Sequence, residues 1–129
     1  IEDLLTEFPT INSRYGGIAS RYSYHVSLAD TDVILFDGLV KIDSKTNTSQ
    51  KYKFPEGSFG SEMQFAPRYN AQSEDDGYLI TFVTNTKSNK GEIQIYPAED
   101  LSKGPLCQLI VPQQIPPGFH SGFVLPENL

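Results

Sequence analysis

Cysteine is almost absent from the 129-residue sequence, in which Cys107 is the only one. No disulfide can form within the chain, and a zinc site built from cysteines is excluded. This cysteine usage is typical of a reducing compartment, and we expect the cytoplasm or a plastid stroma. Cys107 itself lies in a short apolar run, which predicts a small buried side chain.

Long hydrophobic runs and an excess of basic residues are also missing. No apolar stretch approaches the roughly 18 residues of a membrane-spanning helix, so only a peripheral membrane association is left open. Ten lysines and arginines stand against sixteen aspartates and glutamates, a formal net charge of −6. With its few basic residues scattered, the chain is not expected to bind nucleic acid.

Strand patterns are abundant where helical periodicity is lacking. Hydrophobic and polar residues alternate along residues 21–28, with the period of a half-buried strand. Residues 77–85 predict the clearest strand, with Tyr78, Ile80, Phe82 and Thr84 on one face and Leu79, Thr81 and Val83 on the other. Residues 33–36 and 39–42 predict two more strands, separated by a turn at Asp37-Gly38.

Two local signals predict backbone conformation. The acidic segment 73–77 (SEDDG) is interpreted as a solvated turn before a strand. Pro9 favours an extended backbone at the preceding residue, Phe8.

Two stretches of the chain repeat one order of elements. Each copy begins with a strand, a polar turn and a second strand that ends in proline. A glycine-containing crossover then leads to a side chain that could be functional. The first copy begins at Val40 and leads to Glu62, and the second begins at Ile93 and leads to His120. This order is typical of a β-propeller blade, whose crossover leads to the innermost strand of the next blade. Glu62 and His120 are therefore expected to begin strands beside a central axis.

The length limits how much of a propeller the chain can contain. A blade takes roughly 40–50 residues and a closed ring needs about four to eight blades, so two to three blades fit. We therefore expect residues 1–129 to be part of one larger β-propeller domain, without an internal domain boundary. The first residue, Ile1, is not methionine, which agrees with an internal start.

Few residues are candidates for chemistry. The sequence contains no glycine-rich phosphate loop, no serine nucleophile motif and no cysteine–histidine couple. His25 lies on the polar face of a predicted strand and is interpreted as an exposed or hydrogen-bonded histidine. His120 lies in an apolar, uncharged segment, 115–123, where burial would favour the neutral imidazole that binds metals. A core histidine bonded to a backbone carbonyl is the alternative interpretation of His120.

Five segments carry more specific motifs. They are residues 7–12 (EFPTIN) with the arginine–tyrosine pairs that follow, 59–68 (FGSEMQFAPR), 74–79 (EDDGYL), 100–105 (DLSKGP) and 112–120 (PQQIPPGFH). Together the five segments cover nearly the whole chain. Their residues, order and spacing resemble the motifs of the carotenoid cleavage oxygenase family.

The resemblance implies an all-β fold, namely the C-terminal blades of a seven-bladed β-propeller. It also implies an Fe(II)-dependent dioxygenase that adds both atoms of O2 across a conjugated C=C bond. The expected substrate is an apolar polyene, a carotenoid or apocarotenoid, which would be cleaved to two carbonyl products. The remainder of the propeller would be supplied by sequence outside this chain.

The same resemblance assigns roles to four residues. His120 would be the last of four histidine ligands of the iron, and Phe119 beside it would face the substrate tunnel. Glu7 and Glu62 would each accept the N–H of a different liganding histidine, which fixes the tautomer of the ring and raises its basicity. No residue of this chain is assigned to acid–base or nucleophilic catalysis.

The sequence departs from the family pattern at several positions. Ser121 follows the final histidine where glycine is usual, Gln114 stands where arginine is common, and Ile18-Ala19 replaces a basic pair. The three other histidine ligands are missing from this chain, and one imidazole cannot hold Fe(II) by itself.

Two other functions remain open at this point. One is a family isomerase or oxygenase that acts on retinoid or stilbene-type substrates. The other is a non-catalytic β-domain, a propeller or sandwich binding module in which His120 is structural. Three further histidines in the rest of the protein, at the starts of innermost strands, would exclude this second alternative.

Overall fold

The structure of the chain, a computed structural model, describes residues 3–116 and 118–124. Within these ranges there are nine β-strands and two single-turn 3-10 helices, and the strands pair antiparallel. The strands are β1 (Thr6–Thr10), β2 (Tyr22–Leu28), β3 (Phe36–Asp43), β4 (Thr48–Lys53), β5 (Ser58–Gly60), β6 (Gln64–Pro67), β7 (Gly77–Asn85), β8 (Lys90–Pro97) and β9 (Cys107–Val111). The 3-10 helices are Ser13–Tyr15 and Leu101–Lys103. The all-β prediction is confirmed. In the part of the chain that the structure covers, no helix is long and apolar enough to cross a bilayer.

The strands form two four-stranded meanders joined by one short strand. The first meander pairs β1 to β4 in chain order, and the second pairs β6 to β9 in the same way. Between them, β5 pairs with β3 on one side and with β7 on the other. Each meander has the strand order of a propeller blade.

The sequence repeat corresponds to the outer half of each meander. Its first copy forms β3 and β4, and its second copy forms β8 and β9. Glu62 lies two residues before β6, close to the expected strand start. The matching expectation for His120 is wrong, because residues 118–124 form no strand.

Alternating side chains from both meanders build the hydrophobic core. The predicted alternation of β2 and β7 is confirmed, since Tyr24, Val26, Leu79 and Val83 are fully buried. The ring of Tyr24 stacks on Phe65 of β6 with centroids 5.5 Å apart, which joins the core of one meander to that of the next. Burying an aliphatic side chain such as Leu79 or Val83 stabilises the fold by about 1.5–3 kcal/mol.

The prediction of two strands around Asp37-Gly38 is wrong. β3 begins at Phe36 and runs through Gly38, while residues 33–35 form an irregular loop. A Cβ on Gly38 would lie only 2.3 Å from the backbone oxygen of Tyr52 in β4. Glycine is needed here because two strands approach closely, and it does not mark a turn.

The acidic segment before β7 is not the solvated turn expected from its charge. Two of its three carboxylates reach across to the first meander, where Glu74 Oε1 accepts hydrogen bonds from the backbone N–H groups of Arg21 (2.7 Å) and Tyr22 (2.8 Å). The third, Asp76, pairs instead with Arg68, one residue after β6, at 2.7 Å. Asp75 Oδ2 forms an ion pair with Lys41 Nζ at 2.7 Å, and Lys41 is only 4% exposed. The loop therefore connects the two meanders through partly buried polar contacts.

Cys107 is half-buried, so the prediction of a buried side chain is wrong. In the described part of the chain, β9 pairs on one side only, with β8. Leu109 and Ile110 of the same strand are 51% and 66% exposed. An apolar sequence in an outer strand thus does not lead to burial within this chain.

Candidate functional site

The segment after β9 carries His120, and its path is determined by contacts with β7 and β8. The backbone oxygen of Gln113 accepts a hydrogen bond from Gly91 N at 3.0 Å. The backbone oxygen of Ile115 accepts a hydrogen bond from the side-chain hydroxyl of Thr84 at 2.5 Å. A Cβ on Gly91 would lie 2.5 Å from Ile115 Cγ1, so glycine leaves room for the segment to pack here. Prolines in the segment remove backbone donors and prevent it from continuing as a paired strand.

The structure brings Glu62 and His120 together, although 58 positions separate them in the sequence. Glu62 Oε2 lies 3.6 Å from His120 Nδ1 and accepts a hydrogen bond from Ser121 N at 2.5 Å. The hydroxyl of Ser121 donates to the backbone oxygen of Glu62 at 3.4 Å. Glu62 and His120 occupy matching positions of the two sequence repeats, a pattern that did not predict a contact between them.

The two side chains differ in exposure. The Glu62 side chain is 14% exposed, whereas that of His120 is 80% exposed. The prediction that His120 is buried is therefore wrong for this chain, because the described residues cover only a small part of the imidazole. The apolar residues around it in sequence are exposed as well, with Phe119 at 55%.

A small cleft adjoins the Glu62–His120 pair. It has a volume of about 180 Å³ and is lined by Ser61, Glu62, Phe82, Ile115, Pro116, Gly118, His120 and Ser121. Apart from the Glu62 carboxylate and His120, the lining consists of apolar, hydroxyl and glycine residues. The cleft therefore places one imidazole and one carboxylate in largely uncharged surroundings.

Phe8 belongs to the site and was missed by the sequence analysis. Its ring packs edge-to-face on the rings of His120 and Phe119, with centroids 5.3 and 5.9 Å away. Its φ angle is +51°, so the extended conformation predicted from Pro9 is wrong. A bulky residue in the left-handed region costs on the order of 1–3 kcal/mol. The local sequence pattern gave no indication of this conformation at Phe8.

Glu7 is exposed and lies in β1 opposite Val26. Among the residues that the structure describes, its carboxylate contacts neither histidine of the chain. Its neighbour Phe8 is what links this strand to His120. The predicted role of Glu7 behind another histidine therefore remains a prediction.

His25 is half-buried and hydrogen-bonded. Its Nε2 lies 2.9 Å from the hydroxyl of Ser23, and its Nδ1 lies 3.5 Å from the hydroxyl of Thr6. Burial lowers the pKa of His25, because the charged imidazolium loses solvation. The interpretation as a hydrogen-bonded histidine is confirmed.

The residues that the structure describes do not form a complete metal site. Within residues 3–116 and 118–124, no group of three or more histidine, cysteine, aspartate or glutamate side chains could hold a metal. His120 nevertheless fits the chemistry of a single ligand, because a carboxylate lies behind one ring nitrogen. Metal-binding histidines commonly have this arrangement.

Comparison with known proteins gives a consistent family assignment. The profile of the RPE65 family, described as retinal pigment epithelial membrane protein, matches residues 1–125. Carotenoid 9,10(9',10')-cleavage dioxygenase 1 is 34% identical in Pisum sativum and 35% identical in Arabidopsis thaliana. Carotenoid cleavage oxygenase of Mycobacterium tuberculosis is 28% identical. Each of these alignments covers 95% of this chain and 25% of the relative.

Solved structures agree with this assignment. Cobalt-substituted Synechocystis ACO, an apocarotenoid oxygenase, superposes with a TM-score of 0.83 and 25% identity, over 91% of this chain and 25% of that one. The chain thus spans about a quarter of the length of the relatives it matches. Because the family profile covers almost all of its residues, the chain belongs to the RPE65 family, the carotenoid cleavage oxygenases that its motifs resemble.

Proposed function

We propose that the chain is part of an Fe(II)-dependent dioxygenase that cleaves a conjugated C=C bond of a carotenoid or apocarotenoid. The products would be two carbonyl compounds. The observation that carries this proposal is the Glu62–His120 pair, with 3.6 Å between carboxylate and imidazole, in a chain whose relatives are named carotenoid cleavage dioxygenases.

The proposed metal ligand is Nε2 of His120. Glu62 lies next to Nδ1, and a carboxylate in this place favours a proton on Nδ1 and an unprotonated Nε2. The 80% exposure of the imidazole leaves that nitrogen accessible to a metal held by ligands from elsewhere in the protein. The cobalt-substituted state of Synechocystis ACO supports a divalent metal in this fold.

Iron, when bound, supplies the activation of O2, for which amino-acid side chains have no equivalent. The residues of this chain have positioning roles. Glu62 orients the imidazole, and the N–H of Ser121 in turn holds the Glu62 carboxylate. Phe119 offers an exposed aromatic surface beside the ligand, which suits contact with an apolar polyene. Glu7 is proposed to orient a histidine contributed by another part of the protein.

The two meanders are proposed to be blades near the C-terminus of a seven-bladed propeller. The remainder of the ring would then be the main partner of this chain, and it would complete both the metal shell and the substrate tunnel. A plastid location is supported by the chloroplastic 9-cis-epoxycarotenoid dioxygenase of Arabidopsis thaliana, which is 29% identical over 92% of the chain.

Product analysis with labelled oxygen tests the proposal. The full-length protein, loaded with Fe(II), is incubated with an apocarotenoid under 18O2, and the products are identified by chromatography and mass spectrometry. We expect two carbonyl products, each carrying one 18O atom, from the wild type and from His25→Ala, and none from His120→Ala.

Two outcomes would contradict the proposal in different ways. If iron-loaded wild type cleaves no carotenoid, apocarotenoid, retinoid or stilbene substrate, the proposed cleavage reaction is wrong, and the chain belongs to an isomerase or to a non-catalytic protein. If His120→Ala is active and His25→Ala is inactive, the reaction stands but the assignment of the site is wrong.

A further inference from the structure

An irregularity in β1 directs the side chain of Phe8. Glu7 pairs with Val26 and Thr10 pairs with Tyr24, so Phe8 and Pro9 together lie opposite the single residue between them in β2. This arrangement is a β-bulge, and bulges commonly change the direction of a side chain near a functional site. The left-handed φ of Phe8, +51°, lies at this extra residue.

The ring of Phe8 connects the core to the candidate site. On one side it packs edge-to-face against Phe36, with centroids 5.4 Å apart, and Phe36 is only 4% exposed. On another side it contacts His120 with an interplanar angle of 72°, and Phe119 with an angle of 88°. Phe8 is therefore anchored in the protein interior and reaches the exposed end of the chain.

Among the described residues, few others restrain the imidazole of His120. Its side chain is 80% exposed, and within residues 3–116 and 118–124 it contacts the ring of Phe8 and, through Nδ1, the Glu62 carboxylate. A carboxylate near one nitrogen favours one tautomer, but an approach of 3.6 Å leaves the ring plane free to rotate. An aromatic ring packed against the imidazole limits that rotation, because the T-shaped contact holds only in a narrow range of ring angles.

We propose that Phe8 is a positioning residue that holds the His120 imidazole in the orientation needed for metal binding. This inference rests on the proposed function, since it takes His120 as a metal ligand. Phe8 acts through His120, and it does so from a backbone conformation that few bulky residues adopt. The strained bulge places the aromatic ring against the proposed ligand.

Cobalt binding to the full-length, metal-free protein tests this role. Co²⁺ affinity is measured by calorimetry, and the visible absorption bands of the bound ion report the geometry of its ligands. The variants are Phe8→Leu, which removes the ring, and Phe8→Tyr, which keeps it. Phe8→Met is read in the same way as Phe8→Leu if the latter does not fold. Tyr69→Leu, which alters an aromatic residue that is 90% exposed, is the control.

We expect Phe8→Leu to bind Co²⁺ roughly 2- to 10-fold more weakly, the range given by the loss of one aromatic pair, with shifted absorption bands. Phe8→Tyr should restore both affinity and bands, and Tyr69→Leu should resemble the wild type. Thermal unfolding of the metal-free variants separates positioning from a general packing defect, which would lower the melting temperature without changing the bands.

Wild-type affinity and bands in folded Phe8→Leu would overturn the inference, as would a Phe8→Tyr variant that is no better than Phe8→Leu. His120→Ala distinguishes this failure from a failure of the proposed function. If His120→Ala loses Co²⁺ affinity while Phe8→Leu does not, only the role of Phe8 is wrong. If His120→Ala binds Co²⁺ like the wild type, the ligand assignment itself is wrong.

Discussion

At the scale of single residues, the Glu62 carboxylate organises the candidate site. It is mostly shielded from solvent, it accepts the backbone N–H of Ser121, and it lies 3.6 Å from the His120 imidazole. One side chain thus fixes both the backbone after the proposed ligand and the environment of the ligand itself. Its charge should therefore affect metal binding more than folding.

Replacing Glu62 by glutamine tests the importance of that charge. In the full-length protein, Glu62→Gln keeps the side-chain volume and an acceptor oxygen for Ser121 N, but removes the negative charge beside the imidazole. We expect Fe(II) affinity to fall by about 10- to 100-fold while the melting temperature changes little. Glu56→Gln is the matched control, because the Glu56 side chain is 92% exposed. Unchanged iron affinity in Glu62→Gln would exclude a role for the carboxylate.

The serine after His120, where the family usually has glycine, is expected to tolerate substitution. The side chain of Ser121 makes one long hydrogen bond, 3.4 Å to Glu62 O, whereas its backbone N–H makes the short one. Ser121→Gly keeps the N–H, so the iron content of the full-length variant should match the wild type. Loss of iron, measured by elemental analysis, would show that the hydroxyl is needed at the site.

His25 predicts a specific dependence of stability on pH. Burial lowers its pKa in the folded state, while in the unfolded chain it titrates near its ordinary value of 6.5. Below pH 6.5 the unfolded state therefore binds a proton that the folded state does not. The free energy of unfolding should then decrease as the pH falls from 6.5 toward the lowered pKa.

Thermal unfolding of the full-length protein between pH 7.5 and pH 5 measures this contribution. The His25→Gln variant, which cannot titrate, should lose less stability over that interval than the wild type. Equal pH dependence in the two proteins would show that folding does not lower the pKa of His25.

At the scale of elements, alternation predicted strands well where one face is buried by neighbours along the chain. β2 and β7 follow their hydrophobic pattern closely, and β7 has the bounds that the sequence indicated. β3 does not, because Gly38 looks like a turn residue although it marks a close approach of β4. Local patterns cannot distinguish these two uses of glycine, since the approaching strand is distant in sequence.

The acidic loop before β7 shows the same limit for charged residues. Composition predicted a solvated turn, yet Glu74 and Asp75 have partners in the other meander, 34 to 53 positions away in the sequence. The same limit of local patterns applies to the candidate site. Glu62 and His120 were found by repeat and motif, whereas the bulge that aims Phe8 depends on a strand register that the sequence does not display.

The ion pair between Lys41 and Asp75 should be the strongest polar connection between the meanders. Lys41 Nζ also donates to Glu99 O at 2.9 Å and lies 4.3 Å from the centre of the Tyr22 ring. Removing the lysine leaves Asp75 partly buried without its partner, so Lys41→Met should destabilise the full-length protein by about 3–5 kcal/mol. Urea denaturation measures the change.

An exposed ion pair provides the control for this prediction. Lys87 and Glu56 lie 3.5 Å apart with side chains that are 64% and 92% exposed. Lys87→Met should change the free energy of unfolding by no more than about 1 kcal/mol. If Lys41→Met lost no more stability than Lys87→Met, the ion pair of the loop before β7 would not hold the meanders together.

At the scale of the whole molecule, the two meanders have the order of propeller blades and share one core. The chain spans about a quarter of the length of its relatives, and the side chain of its proposed ligand is 80% exposed. Sequence analysis predicted the blade order from the repeat, because strand, turn and crossover are local. It did not predict the exposure of His120, which depends on what surrounds the ligand in space.

Iron content of the full-length protein tests the central claim, that this chain contributes a metal ligand through His120. Wild type, His120→Ala and His25→Ala are purified under identical conditions, and bound iron is measured by elemental analysis alongside circular dichroism. We predict that His120→Ala loses most of its iron while remaining folded, and that His25→Ala keeps the wild-type amount. Wild-type iron content in folded His120→Ala would contradict the account.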